Sequence, residues 1–368
     1  MMIKRSLVAL NILLSLSSFY LGKCLAQPRA PALYVFGDSL ADSGNNNFLD
    51  VLFIAKANYK PYGADFSTGP TGRVTNGKII PDIIADYLGL PYPARIMDPN
   101  ASLSLTGYNY ASAGCGVLPD TGPDNCMNLT EQVRLFEEKT KETVLKPAFQ
   151  GEGELEQHLA NSIFFIWVGN NDYLLNYFNS SSNSSFLTPE QFADLLTSKL
   201  SEKIQALHRL GARKMVVFEG PPFGCIPYYR YNNNGTCVED KNENARLFNS
   251  KLKDMIQTLS SQLTNSYFTI GKAYDATYDV INNPTNYGFT NVKQACCLRI
   301  PPFVQCVQFG GKCANRDQYL FWDAAHPTEA SNRIMGGNCI TNSSVCTPNS
   351  IQDLVQLTLT PPSLLSAA

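Results

Sequence analysis

Five short, nearly unbroken apolar runs constrain this chain more than any other feature; they span residues 32–36, 105–110, 163–168, 214–218 and 267–270. A strand with one wet face alternates apolar and polar residues, whereas a strand covered on both faces, as in a parallel sheet between helices, does not alternate. Parallel neighbours need crossovers, and helix-like stretches separate several of the runs. The clearest follows Thr188, which is suited to cap it, with Pro189 at the first position, Gln191 completing a capping box and Gly211 as a stop. Its apolar positions Phe192, Leu195, Leu196, Leu200, Ile204, Leu207 and Leu210 form one stripe. Residues 78–88, with Ile80, Ile83, Ile84, Tyr87 and Leu88, and residues 240–263 give two more helices. The pattern predicts an α/β fold with right-handed crossovers and helices on both faces. Long loops are expected at 179–183 and 281–320, and no repeat or linker divides the chain.

The first 26 residues have the three parts of a secretory signal. Lys4 and Arg5 precede an apolar stretch from Leu7 to Leu21, and Cys24, Leu25 and Ala26 form a small-residue exit. Serines and Asn11 interrupt that stretch, which falls short of the roughly 20 residues of a membrane span. Cleavage after Ala26 is the expectation, leaving residues 27–368 as one secreted domain without a stable membrane anchor. The segment carries Lys4, Arg5 and Lys23 and no acid, so its removal takes the formal net charge from −2 to −5. Such a surface has no basic field for nucleic acid or anionic lipid.

Cys24 leaves with the signal, and ten of the 11 cysteines remain. An even number in a secreted chain reads as disulfides. Proximity suggests Cys115 with Cys126, Cys225 with Cys237, and Cys339 with Cys346. Adjacent Cys296 and Cys297 are poorly placed to bridge each other, so Cys306 and Cys313 are their partners, in an order the sequence leaves open. There is no C-x-x-C pair, and no metal site is expected. Glycosylation sequons begin at Asn100, Asn128, Asn179, Asn183, Asn234 and Asn342 and mark those segments as surface.

In parallel α/β sheets the chemistry sits at the carboxyl ends of the strands. There the first, second and third runs lead into Gly37-Asp38-Ser39, Ala113-Gly114-Cys115-Gly116 and Gly169-Asn170-Asn171-Asp172. Ser39 is either a nucleophile or the cap of the next helix. A serine hydroxyl needs a base, usually histidine. His158 and His208 fall inside helical patterns and read as partly exposed helix residues. His326, in "FWDAAHPTEA", follows Asp323 by three residues, a spacing that on a tight turn brings carboxylate and imidazole together. Backbone N–H groups at Ser39 and at the Gly114–Gly116 turn, with the Asn171 amide, are the available donors for an oxyanion. Each also has a plain structural reading as a turn residue.

Four blocks, "FGDSLADSGNNN" at 36–47, "NYASAGCG" at 109–116, "VGNNDY" at 168–173 and "FWDAAHPTE" at 321–329, resemble, in this order, those of plant GDSL esterase/lipases of the SGNH hydrolase superfamily. "PYGADFSTGPTGRVTNGK" at 61–78 and "GPPFGCIP" at 220–227 are similar to that family's connecting segments. The resemblance implies a flavodoxin-like three-layer α/β/α sandwich around a mostly parallel sheet, the SGNH hydrolase fold. It further implies Ser39 as nucleophile, His326 as base and Asp323 as its orienter, with oxyanion donors at Ser39, Gly114 (Gly116 in reserve) and Asn171. The G-x-S-x-G nucleophile elbow of α/β-hydrolases is a poorer fit, since Ser39 lacks its flanking glycines.

The enzyme expected is a secreted, cofactor-independent serine esterase or lipase of the cell wall or apoplast. It acts on small or polymeric esters through an acyl-enzyme; the sequence leaves its oligomeric state open, with a monomer favoured. Transfer of the acyl group to an alcohol, in wall or cuticle polyester formation, is the alternative. A non-catalytic wall-binding protein on the same frame is a third reading, which the complete triad disfavours.

Overall fold

The computed structural model describes residues 27–359; the signal-peptide expectation lies outside the described residues. A seven-stranded sheet has the order β2-β3-β1-β4-β5-β6-β9. Its members are β1 (Leu33–Gly37), β2 (Ala94–Arg95), β3 (Tyr108–Asn109), β4 (Ile163–Trp167), β5 (Lys214–Phe218), β6 (Tyr267–Gly271) and β9 (Cys346–Thr347). All neighbours are parallel except β6 and β9. A separate parallel pair, β7 (Asn291–Ala295) with β8 (Tyr319–Phe321), lies within and after the long loop expected at 281–320.

The continuous apolar runs are explained by two cores, one on each face of the sheet. Tyr34, Phe36, Phe164, Ile166, Met215 and Val217 point into the first, against Phe192, Leu196, Leu200 and Phe248 of two long helices, Pro189–Arg209 and Glu239–Gln262. Leu33, Val35, Phe165, Val216 and Phe218 point into the second, against Ile80, Ile84 and Leu88 of the helix Ile80–Leu88 and Ile340 of the helix Glu329–Thr341. Burying each such side chain is worth about 1.5–3 kcal/mol relative to exposure. The Pro189–Arg209 helix starts as predicted. Thr188 and Gln191 exchange side-chain to backbone hydrogen bonds of 2.9 and 3.2 Å, a cap worth about 1 kcal/mol.

The second run differs from its expectation. Only Tyr108–Asn109 forms a strand, because Gly107 has φ +113° and a Cβ there would lie 1.9 Å from the Leu33 carbonyl oxygen. Leu105, before that break, is exposed.

His158 also departs from its expectation. It is buried on the helix Glu154–Asn161 beside Leu155 and Leu159, its Nε2 3.2 Å from the Tyr34 hydroxyl. Burial pushes its pKa down to about 4. The unfolded chain binds a proton near pH 6.5 that the folded chain refuses, so this residue's contribution to stability is complete above pH 6.5 and is lost as pH falls toward 4. The loss is about 3 kcal/mol. In paired urea melts at pH 7 and 4.5, His158→Gln is expected to lose less stability on acidification than the native chain; an unchanged pH dependence would refute this.

Candidate active site

The sheet order reverses at β1, whose neighbours are β3 on one side and β4 on the other. Binding crevices of open α/β sheets form at such points, beyond the carboxyl ends of the strands. Gly37 pairs with Trp167 in register, so the segments after β1 and β4 leave the sheet side by side. A Cβ at Gly37 would sit 2.5 Å from the Trp167 carbonyl oxygen, which accounts for glycine there.

The chain then turns sharply. Ala41 and Asp42 both donate backbone N–H bonds to the Asp38 carbonyl, and the buried Asp38 carboxylate accepts from Leu40 N–H at 3.0 Å and Asn170 Nδ2 at 2.8 Å. Burial raises its pKa to about 6, despite these two bonds. It is Asp42, not Ser39, whose side chain holds the next turn, its Oδ1 accepting from the N–H groups of Gly44 and Asn45 at 2.7 and 2.8 Å. Ser39 Oγ instead lies 2.8 Å from His326 Nε2.

Behind His326, Nδ1 is 2.9 Å from each oxygen of Asp323, which is fully buried. The N–H groups of Ala325 and His326 also donate to Asp323 Oδ1, at 2.9 and 2.8 Å. An ionised carboxylate only accepts, so Nδ1 carries the imidazole proton and Nε2 is left to accept from Ser39. Burial opposes protonation of His326, but the charge and hydrogen bond of Asp323, with the charge of Asp38, outweigh it and hold the imidazole above its ordinary range. The turn is closed by Trp322 N–H donating to the His326 carbonyl at 2.7 Å. Asn76 supports it from another segment, accepting from the N–H of Glu329 at 2.8 Å. It thus serves a helix N-terminus, though not that of the helix nearest in sequence.

The oxyanion candidates meet at the same place. Among the described residues neither the Ser39 nor the Gly114 N–H has a hydrogen-bond partner. Asn171 Nδ2 spends one proton on the Cys115 carbonyl at 3.0 Å and keeps a second. Gly114 lines the cavity above Ser39 and Gly116 does not; a Cβ on Gly116 would meet the Asp172 carboxylate at 2.4 Å. Asn46 reaches from the first block to hold the second, donating to the Ala113 carbonyl at 2.8 Å and accepting from Ser112 Oγ at 2.6 Å. Asp172 accepts from the N–H groups of Val117 and Leu118, each at 2.9 Å. The three loops are therefore braced against one another by buried polar side chains.

Two buried contributors were not anticipated from sequence. Gln132 exchanges hydrogen bonds of 2.9 Å with both the N–H and the carbonyl of Gly37, pinning the end of β1. Tyr62 donates to Asp323 Oδ2 at 2.8 Å. A polar residue on the otherwise apolar face of the helix Leu129–Leu135 was the available signal for the first; nothing local marks the second. His208 stands apart, its Nε2 3.3 Å from the Thr264 carbonyl.

A cavity of about 750 Å³ opens on Ser39 and His326, walled by Leu174, Phe178, Phe223, Tyr229, Phe303 and Met335. Phe53 and Tyr59 are not among its walls; Phe53 is half exposed and Tyr59 is buried, donating to the Cys306 carbonyl. Disulfides join Cys115–Cys126, Cys225–Cys237, Cys296–Cys313, Cys297–Cys306 and Cys339–Cys346. The order left open by sequence is thus resolved as two nested bridges just before Asp323. Among the described residues no group of three or more His, Cys, Asp or Glu side chains is arranged to hold a metal ion, and no helix is long and apolar enough to cross a membrane.

A model of the GDSL-like lipase/acylhydrolase family matches residues 33–338. GDSL esterase/lipase 7 of Arabidopsis thaliana is 42% identical over 344 residues, covering 90% of this chain and 93% of that one. GDSL esterase/lipase At4g16230 of the same plant is 37% identical over 354 residues, covering 92% and 95%. Among solved structures, LAE5, an alpha/beta hydrolase from the metagenome of Lake Arreo in Spain, aligns over 90% of this chain and 97% of its own at TM-score 0.37 and 10% identity, too faint a likeness to carry weight.

Proposed function

Since this chain belongs to the GDSL-like lipase/acylhydrolase family and is a carboxylic ester hydrolase, we propose that Ser39, His326 and Asp323 are its catalytic triad and that it works as a secreted, single-domain serine esterase. The observation that carries the triad is the unbroken line from Ser39 Oγ through the imidazole to the buried Asp323 carboxylate, at 2.8 and 2.9 Å.

Ser39 Oγ attacks the ester carbonyl carbon while its proton passes to His326 Nε2. Negative charge on the carbonyl oxygen meets the Ser39 and Gly114 N–H groups and the remaining Asn171 amide proton, each such donor being worth about 10²–10³ in rate. Asp323 stays ionised and stabilises the imidazolium. Collapse returns the proton to the leaving alcohol and leaves an acyl group on Ser39. Water, deprotonated by His326, then attacks that acyl group, releases the acid and restores Ser39. A bound alcohol in place of water would give acyl transfer by the same steps.

Secretion through residues 1–26 to the wall space and glycosylation belong to the same proposal. Asn100, Asn179, Asn183, Asn234 and Asn342 are exposed, while Asn128 is half-buried where its side chain caps the helix Leu129–Leu135. Asn179 also borders the cavity, so a glycan there would stand at its mouth.

The walls are chiefly apolar, and they favour acyl chains longer than acetyl. In a series of 4-nitrophenyl esters, kcat/KM is expected to rise about tenfold or more from acetyl to octanoyl. A fluorophosphonate probe is expected to label Ser39, as read by peptide mapping. Ester turnover with the label absent, or on another residue, would overturn the triad. Product analysis with a glycerol acceptor separates hydrolysis from acyl transfer.

A further inference from the structure

We propose that Tyr62 is a positioning residue for Asp323, and that through it the Cys297–Cys306 loop sets the basicity of His326; this rests on the triad proposed above.

The Tyr62 phenol is fully buried and faces two partners, the Asp323 carboxylate at 2.8 Å and the Cys306 backbone N–H at 3.1 Å. A backbone N–H can only donate, so the phenol oxygen accepts from Cys306. An ionised carboxylate can only accept, so the single phenol proton is committed to Asp323 Oδ2. The tyrosine is therefore a one-way link in which the loop fixes the oxygen and the proton is aimed at the acid.

The loop end is itself clamped. Tyr59, whose ring packs edge-on against Tyr62 at 5.3 Å, donates to the Cys306 carbonyl at 3.2 Å, so two tyrosines hold the backbone of one half-cystine from its two sides. Cys297, at the other end of the disulfide, donates its N–H to the Trp322 carbonyl at 2.9 Å, and the Val304 carbonyl between them accepts from Ala324 N–H at 3.0 Å. Residues 322–324 and the disulfide loop are thus joined at three places, and Tyr62 is the one that reaches the carboxylate.

The chemical consequence depends on where the charge on Asp323 is spent. Oδ1 already takes two backbone N–H bonds, whereas Oδ2 has only Tyr62 besides the imidazole. Without the phenol proton, Oδ2 draws more strongly on the imidazolium, which then releases its proton at higher pH. The base becomes active later in a titration and its ring less firmly oriented.

The test is the pH profile of kcat/KM on a soluble ester for the native enzyme, Tyr62→Phe, and the paired variant Cys297→Ser/Cys306→Ser. Tyr62→Phe is expected to lower the plateau about tenfold and to move the acid limb upward by about half a pH unit or more. The cysteine pair should move that limb in the same direction by less, and combining both changes should add little to Tyr62→Phe alone, as for groups acting in one chain. A lowered plateau with an unmoved limb would reduce Tyr62 to packing and overturn the inference. Should Tyr62→Phe fail to fold, the cysteine pair decides, and an unmoved limb there overturns it equally. If Ser39→Ala keeps native activity, it is the triad that has failed, whatever these profiles show.

Discussion

Ser39→Ala is expected to give a folded protein whose turnover of an activated ester is lower by about 10⁴-fold or more. The hydroxyl is bonded only to His326 among the described residues, so its removal breaks no brace of the fold. The turn is held instead by the Asp38 carbonyl and carboxylate and by Asp42, none of which the substitution touches. The thermal midpoint should therefore stay within about 2 °C of the native value, as for a substitution that leaves neither a sizeable void nor a buried unpaired charge. Residual activity above about one part in a hundred with an intact melt would mean that another group is the nucleophile. His326→Ala is expected to fall to a similar floor, because a nucleophile and its base act as a unit and their losses do not add.

The largest loss of stability is expected at Arg73. Its guanidinium meets both oxygens of Asp82, at 2.6 and 2.7 Å, and both side chains are buried. It also donates to Thr71 Oγ1 and the Ser43 carbonyl, at 3.0 and 3.3 Å, and lies over the ring of Phe66. Asp82 in turn accepts from Ile79 N–H, just before the Ile80–Leu88 helix. Arg73→Ala leaves a buried carboxylate without its cation, a change that typically costs about 3–5 kcal/mol. Urea unfolding should show a loss of this size, and Arg73→Ala/Asp82→Ala should recover part of it, because the uncompensated charge is then gone. A single variant within about 1 kcal/mol of native would show that water or a neighbour satisfies Asp82 instead. Lysine is a poor replacement, since it lacks the planar fork that meets two oxygens at once.

What the sequence made legible came from signals that are local. The 214–218 run is β5 to the residue, because nothing inside it breaks an extended backbone. The Pro189–Arg209 helix was readable because its cap, first proline and stripe all lie within its own length. The two-residue strands β2 and β9 carry no periodicity of their own and exist through their partners. His158, read from sequence as partly exposed, is buried, and the signal for that was its place on one helix face with Leu155 and Leu159.

At the site, the same division holds. Asp323 and His326 are three residues apart and close their turn locally, so the pair could be read together; its meeting with Ser39 lies 287 residues away along the chain. Tyr62 donates to a residue 261 positions distant, and only the folded chain joins them. The disulfide order required the two bridges to be seen nested.

Among the described residues, each of the five disulfides closes a ring between cysteines only 7 to 17 positions apart, and none ties one strand of the sheet to another. The redox chemistry of this protein is thereby confined to short local rings. Oxidation secures the loop that leads to Asp323 and, through Cys339–Cys346, ties the short edge strand β9 to the helix Glu329–Thr341 in the second core, while the six parallel strands contain no cysteine. On the triad proposed above, a reducing compartment would blunt the tool while sparing most of the handle, because the ring closures behind Asp323 are local and require no search along the length of the chain.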